Sequence, residues 1–512
     1  MTTRTYTTLV IAAVVVGALL RLFHLAEQSL WIDEIFTIAA ASGSWGEMIF
    51  APRAATNIPP FYYAIIHALG LENGGEFALR LPSVAFGVLT LPLIASVARN
   101  WLGERVAVIA IWIAALSPFH VWYSQDARPY ALLILLSTLA VAARQSLDHA
   151  CAQGRDHWWP RLLFALCAAS LVYCHTVGIA LIVVLGVIAL WGAPKRQRVR
   201  EWFTFGAIGI LLVPAVALVV AYPVAPVPEK SIDNLTLLLP PYTLWTFAAG
   251  YSIGPSVGDL HRDGRMQAMW EHVWVVGPAL CLLAGVTFSG VWHLWRRQHA
   301  VRVALLVWLL LPIALGILAS SATVQNFNVR HASTAYPAFV IVLAVGIAAV
   351  ERRWLQGVLG ALVLALSQFG LFNYYFDSDY HKADSRGAAG VLNESARDGE
   401  VVIASAVYAR PVLRHYCLAP ARQTLRFPKH PPTSRLRDPD VVSGWLQRIG
   451  VLAAEGSAQA PNAVVDRVWL FLSRTYHGDQ DGVIATQLQT VYDGEICYEG
   501  PEAQLWLFER RP

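Results

Sequence analysis

Ser29-Leu30-Trp31-Ile32-Asp33-Glu34-Ile35-Phe36-Thr37 follows, within a few residues, the first long apolar run of the chain, at about 6–23. Two adjacent carboxylates therefore sit between Trp31 and Phe36 close to a membrane boundary. Ionisable groups at that depth cost several kcal/mol unless they are solvated, paired or used. A signal peptide is the competing reading of the first run. The run is long for an h-region and is preceded only by Arg4, which favours a retained first span.

The remaining chain supports that choice. Of its 512 residues, 56% are hydrophobic and only 14% charged, the balance of a polytopic membrane protein and not of several soluble domains. Nineteen Trp and 18 Tyr suit a protein with many interfacial edges. A formal charge of +4 with no basic stripe gives no footprint for nucleic acid. The six cysteines include no CxxC and no Cys/His spacing of a structural zinc site.

Runs of spanning or near-spanning length occur at about 6–23, 79–98, 104–119, 128–143, 160–174, 176–192, 202–222, 271–293, 303–320, 333–350 and 355–371, about eleven spans in all. The loops between them alternate in charge. One set holds Arg4, Arg99, Arg105, Arg144, Arg155, Arg161, Lys195, Arg196, Arg198, Arg200, Arg296, Arg297, Arg302, Arg352 and Arg353, whereas the other holds mainly Arg128 and Arg330. The positive-inside rule makes the first set and the N-terminus cytoplasmic. The first loop (about 24–78), the turn at 119–128, the turn near His175, the long loop at about 223–270, the turn at 321–332 and the tail from 372 then lie outside. In the first loop, 33–50 is expected as one amphipathic helix along the interface, and Pro59-Pro60 as the start of another. In the tail, 372–512, charges and prolines rise. Asp384–Ala396 reads as a helix, and Glu400–Ala406 and Arg467–Leu472 as short buried strands, giving an outer α/β domain of about 130 residues, large enough for its own core. Cys417 and Cys497 could form a disulfide there.

The polar blocks outside the apolar runs carry a resemblance. Leu30-Trp31-Ile32-Asp33-Glu34 with Thr37, Pro59-Pro60-Phe61-Tyr62-Tyr63, Glu76-Phe77-Ala78-Leu79-Arg80-Leu81-Pro82-Ser83, Ser124-Gln125-Asp126-Ala127-Arg128-Pro129-Tyr130, and the turns Tyr173-Cys174-His175-Thr176 and Arg330-His331 before Pro337 occur in this order. Together they resemble the GT-C membrane glycosyltransferases that use polyprenyl-phosphate sugars, among them the protein O-mannosyltransferases and the lipid A aminoarabinose transferases. The likeness covers about 1–371. It implies a GT-C-like transmembrane catalytic domain with the tail as an extracytoplasmic soluble domain, in a multi-pass protein of the plasma or inner membrane.

The same resemblance implies that one sugar moves, with inversion, from a polyprenyl-phosphate donor to a protein, lipid or glycan acceptor outside the cytoplasm. Asp33 would be the general base, with Glu34 supporting it. The bland reading of the pair is a helix N-terminus whose dipole favours carboxylates. Arg330 and Arg128 are candidates for the donor phosphate, since a guanidinium fork binds it bidentately. Their bland reading is snorkelling to lipid headgroups, or for Arg128 a bridge to Asp126. His175, Asn57, Tyr62 and Tyr251 are candidate substrate contacts, although a His between two spans more often caps a helix. The long loop, with Leu239-Pro240-Pro241-Tyr242 and Gly250-Tyr251-Ser252-Ile253-Gly254-Pro255-Ser256, has the composition of a cover over a groove. Many relatives carry Glu, Asp or His just before the Pro-Pro block, where this chain has Thr56-Asn57-Ile58. Asn57 is a poor zinc ligand, so no metal is carried over; a divalent ion stays open and no other cofactor is called for. A transporter or flippase is the alternative from another class, and would need charges inside spans and repeated halves. A non-catalytic receptor is a third.

Overall fold

A computed structural model describes residues 2–50, 59–154, 157–192, 195–221, 236–262, 265–296, 299–322, 327–418, 424–429, 437–453, 465–475, 479 and 481–512. The chain divides into two compact units. The first holds Met1–Leu25, Phe36–Gly254 and Val273–Tyr374; the second holds Ala26–Ile35, Pro255–His272 and Tyr375–Pro512.

The first unit is helical. Its elements begin with α1 (Thr3–Leu22), α2 (Ile32–Ala41, whose first residues belong to the second unit), α3 (Trp45–Phe50), α4 (Phe61–Ala68) and α5 (Gly75–Leu102). They continue with α6 (Glu104–Ala115), α7 (Pro118–Ser124), α8 (Tyr130–Ala152), α9 (Trp158–Cys174), α10 (Ile179–Gly192), α11 (Lys195–Ala221) and α12 (Leu239–Ala249). The helices α13 (Val257–Arg262) and α14 (Arg265–Glu271) belong to the second unit. The first unit closes with α15 (Val273–Arg296), α16 (His299–Ala322), α17 (Tyr336–Ala348) and α18 (Arg353–Phe376), the last two residues of α18 again falling in the second unit.

The expected eleven spans meet a stricter outcome. Among the described residues eight helices are long and apolar enough to cross a membrane, nine if α6 and α7 count as one span bent by 58°. The two runs that fall short are the helices at Trp158–Cys174 and Thr176–Leu190, which are apolar but under 18 residues. The protein is a multi-span membrane protein. The α6–α7 bend has a local cause. Pro118 has no N–H and clashes with a preceding carbonyl, and Ser117 restarts the helix by accepting from the His120 N–H. Packing in the unit centres on α17, whose spanning window is 89% buried. Gly290 of α15 and Gly346 of α17 bring those two helices together so closely that a Cβ on either would collide with a backbone carbonyl of the other.

The expected helix over 33–50 is instead two, α2 and α3, broken at Ser42-Gly43-Ser44 where Gly43 takes φ 97°. There Ser44 and Glu47 exchange hydrogen bonds that start α3 afresh.

The second unit contains α19 (Ser385–Ser395), β1 (Val401–Ala404), α20 (Ala409–Tyr416), α21 (Pro439–Arg448), β2 (Arg467–Ser473), α22 (Val483–Gln489), β3 (Tyr492–Gly500) and β4 (Ala503–Arg510). The strands form one sheet in the order β1-β2-β4-β3, with β1 and β2 parallel and the other pairs antiparallel. Because side chains alternate along a strand, Val402, Ala404, Trp469 and Phe471 pack under α19 and α20. Val401, Ile403, Val468 and Leu470 face α21 and α22. Both faces are covered, the α/β arrangement that the tail's patterning implied. Glu400, just before β1, is 6% exposed and is held by Arg467 at 2.7 Å and by the Trp469 indole N–H at 2.7 Å. Cys417 and Cys497 are both free thiols, so the disulfide that the sequence allowed is not formed.

Candidate functional site

In the first unit the sequence blocks meet as joinery around the α6–α7 bend. Arg21, fully buried, donates to Gly17 O at 2.8 Å, Ala115 O at 3.1 Å and Ala114 O at 3.2 Å, closing the carbonyl end of α6. Its other nitrogens reach Ser124 Oγ at 3.1 Å and His120 Nδ1 at 2.9 Å. Gln125 Nε2 donates to Arg21 O at 3.0 Å and Phe23 O at 2.6 Å, finishing α1. Arg80 donates to Leu25 O at 2.8 Å and Thr37 Oγ1 to Ala127 O at 2.8 Å. Through Ser124, Gln125 and Ala127, these contacts hold the short segment that leads to Pro129.

That segment presents Arg128, which is 2% exposed. Its Nη1 donates to Tyr63 Oη at 3.3 Å, and its carbonyl accepts from Ser83 Oγ at 3.5 Å. Ser83 shares a 2.9 Å hydrogen bond with Tyr62, so the fully buried Tyr62 supports the turn from below, whereas Tyr63 touches the guanidinium. Next along the chain, the Tyr130 ring lies 5.5 Å beneath the Arg330 guanidinium carbon and 5.5 Å from the His175 ring. His331 lies 6.4 Å from His175, ring to ring, in a turn opened by a capping box with Asn328. Tyr123 and Tyr251 share a 2.8 Å hydrogen bond, and the Tyr123 ring packs 5.3 Å from Tyr130.

Thus Arg128, Arg330, His175 and Tyr251, far apart in sequence, converge within one unit around Tyr130. His175 Nδ1 accepts from the Val177 N–H at 3.2 Å, which leaves Nε2 to carry the proton of the neutral ring. Burial, then the nearby His331, Arg128 and Arg330, hold the imidazole well below its usual range, keeping it neutral. Burial pushes the Tyr251 phenol well up, so it serves as a hydrogen-bonding hydroxyl and not as an acid. A cluster with two guanidiniums, neutral N–H donors and phenols, and with aromatic walls, is a receptacle for an oxyanion.

The acid pair lies in the second unit, in the first turn of α2. Asp33 is partly exposed, while Glu34 is completely buried. Glu34 Oε2 accepts from the Trp31 N–H at 3.3 Å and forms an ion pair with Lys382 Nζ at 3.1 Å; Lys382 is itself 4% exposed. The Lys382 ammonium also lies 5.4 Å from the centre of the Trp31 ring. In sequence Lys382, Asp384 and Arg386 suit either a face towards the membrane cavity or a solvated helix start; Lys382 is here paired with the buried Glu34. Asn57 lies outside the described residues. Among those described, no group of three or more His, Cys, Asp or Glu is placed to hold a metal ion.

The sequence reading missed Lys382, Tyr63, Tyr123, Tyr130 and His331 as site residues. Tyr63, Tyr130 and His331 stood inside the quoted blocks, and for Tyr130 and His331 the nearby Arg128 and Arg330 were the available signal. Lys382 lies 348 positions from its partner and had none.

Comparison with known proteins agrees with the fold. Residues 57–225 match the family model described as dolichyl-phosphate-mannose-protein mannosyltransferase. No curated protein matches the chain in sequence. Among solved structures, ArnT from Cupriavidus metallidurans in the apo state superposes with a TM-score of 0.59 at 12% identity, covering 98% of this chain and 98% of that one. The same protein bound to undecaprenyl phosphate gives 0.55 at 13% identity, with 99% and 98% covered. The archaeal oligosaccharyltransferase AglB from Archaeoglobus fulgidus, in complex with an inhibitory peptide and a dolichol-phosphate, gives 0.55 at 12% identity, with 99% of this chain and 74% of that one covered. The likeness first read from ordered polar blocks therefore extends to the fold of the whole chain, which is similar to the folds of ArnT and AglB.

Proposed function

We propose that the protein is a GT-C glycosyltransferase that moves one sugar from a polyprenyl-phosphate donor to an acceptor outside the cytoplasm. The observation that carries this reading is the gathering of Arg128, Arg330 and His175 around Tyr130. Two guanidiniums with a neutral imidazole N–H beside them are the donors that an anion would draw on. The ArnT complex with undecaprenyl phosphate and the AglB complex with a dolichol-phosphate support a lipid-linked phosphate as that anion.

In the reaction, an acceptor hydroxyl attacks the anomeric carbon as the bond from that carbon to the phosphate oxygen breaks. Asp33 takes the hydroxyl proton, since a weak nucleophile must lose it as the new bond forms. The electron pair of the broken bond goes to the phosphate, which departs as polyprenyl phosphate with its growing charge held by Arg330 and Arg128. A single displacement inverts the anomeric centre. Glu34, buried on Lys382, supports the base and does not itself take the proton. The positive-inside pattern supports a site on the outer face.

The test uses the full-length protein in nanodiscs with a panel of synthetic prenyl-phosphate sugars and an envelope extract as mixed acceptor. Release of prenyl phosphate from one donor, reduced in Arg330→Ala, is the expected result. No donor consumed across a broad panel of sugars would overturn the reading.

A further inference from the structure

The tail holds the acid pair through a set of contacts that the reaction itself does not require. Segment Ala26–Ile35 is packed into the second unit along its whole length. Ser29 Oγ donates to Asp384 Oδ1 at 2.6 Å, and the Arg386 N–H donates to Ser29 Oγ at 3.2 Å. The Arg386 guanidinium donates to Ala26 O at 3.1 Å and Glu27 O at 2.5 Å. The Leu30 N–H donates to Tyr416 Oη at 2.7 Å, and the Lys382 N–H to Gln28 Oε1 at 3.1 Å. Tyr498 Oη, from β3, donates to Asp384 Oδ2 at 2.5 Å. At the end of this grip stands the buried pair of Glu34 and Lys382.

We infer that Lys382 is a positioning residue of the active site, whose buried ammonium keeps Glu34 ionised and thereby fixes the helix turn from which Asp33 works. This rests on the reading of Asp33 as the base. The argument is one of charge. Adjacent carboxylates each disfavour ionisation of the other, and burial without water disfavours it further. Glu34 has no solvent exposure to offset this, and Lys382 supplies the compensating charge at 3.1 Å. An ionised Glu34 also accepts the Trp31 N–H, which pins the start of α2 one residue before Asp33. A protonated Glu34 would weaken that cap and release the turn. Ionisable groups on the segments that carry the pair include Asp33 beside Glu34, and His381, Asp384 and Arg386 beside Lys382; Tyr416 and Tyr498 grip the same segments through Leu30 and Asp384.

The consequence is that the outer domain is part of the catalytic apparatus, acting through the geometry and charge of the first loop. Its test compares native protein with Lys382→Met and with the double variant Lys382→Met/Glu34→Gln, all full-length in nanodiscs. In Lys382→Met, Glu34 takes up a proton, with a folded-state pKa raised above its unfolded value of about 4.3. Stability attached to such a group is present below the unfolded pKa and is lost as pH rises through the folded pKa. Lys382→Met should therefore lose thermal stability relative to native protein as pH rises from about 5 to 8, and the double variant should not. Where donor turnover is measurable, the pH–rate profile of Lys382→Met should gain an ionisation between about pH 5 and 8 that the native and double variants lack. A merely structural lysine would lower turnover equally at every pH.

Identical pH dependence of melting for Lys382→Met and the double variant overturns the inference. If Lys382→Met does not fold, the double variant is expected to fold, because it no longer buries an uncompensated acid; failure of both also overturns it. Absence of donor turnover in native protein counts against the proposed function alone, because the melting comparison still decides the role of Lys382.

Discussion

The two units bury charge in opposite ways. In the second, two buried carboxylates come as matched pairs: Glu34 with Lys382, and Glu400 with Arg467. In the first, the cluster at Tyr130 sets the Arg128 and Arg330 guanidiniums and the neutral His175 against aromatic rings. The first unit can pair charges where it needs to. Arg144 and Arg161 share Glu201, whose side chain is 2% exposed, at 2.6 and 3.1 Å. The difference teaches that paired ions hold architecture, whereas two guanidiniums brought together against aromatic rings suit a ligand of opposite sign.

Four changes break or sharpen that comparison. The largest effect is expected from separating a matched pair. Glu34→Gln or Lys382→Met alone should each cost about 3–5 kcal/mol of stability, and the double variant clearly less than their sum, as read from chemical or thermal unfolding of the four proteins. Arg330→Ala removes one of the gathered charges. It should lower turnover by about 10²–10³-fold with little change in melting temperature, and Arg330→Lys should recover only part because an ammonium cannot form the fork. A melting loss as large as that of Lys382→Met would place Arg330 with the architecture instead.

Gly346→Ala probes packing without charge. The added methyl meets the Val286 carbonyl of α15, so a loss of about 1–3 kcal/mol is expected, seen as a lower melting temperature. The smallest effect concerns Asp384. Burial pushes its pKa up, but hydrogen bonds from Ser29, Tyr498 and the Gly387 N–H, with Arg386 nearby, more than offset this and leave it below the usual range. A depressed carboxylate contributes stability above its unfolded pKa, about 3.9, that is lost as pH falls through the folded value. Asp384→Asn should thus melt about as native protein does in strong acid and lower than native protein by a few degrees at pH 7; an equal gap at both pH values would contradict it.

Much of the scaffold was legible because hydrophobic length is a local signal. The helices α5, α8, α11 and α15–α18 fall on the apolar runs, and β1, β2 and α19 fall within a few residues of their expected places. The β3–β4 hairpin was not foreseen. Strand β3 opens Tyr492-Asp493-Gly494-Glu495, mostly exposed, and this reads as a turn until β4 pairs with it. The break in the first loop was signalled by Gly43, which was outweighed by the apolar pattern on either side. Within the site, Arg128, Arg330 and His175 were visible as polar residues misplaced among apolar runs. Lys382 was not, because its meaning comes from Glu34, and a pairing across 348 residues leaves no trace in either local pattern.

The central claim is that Asp33 is the base of a sugar transfer on this scaffold. It is tested most directly by comparing prenyl-phosphate release by native protein and by Asp33→Asn, matched for folding by melting temperature, with saturating donor and acceptor. The account predicts that the variant folds like the native protein and loses about 10²–10⁴-fold in turnover. Equal turnover in the two would contradict it and leave the acid pair as the start of a helix.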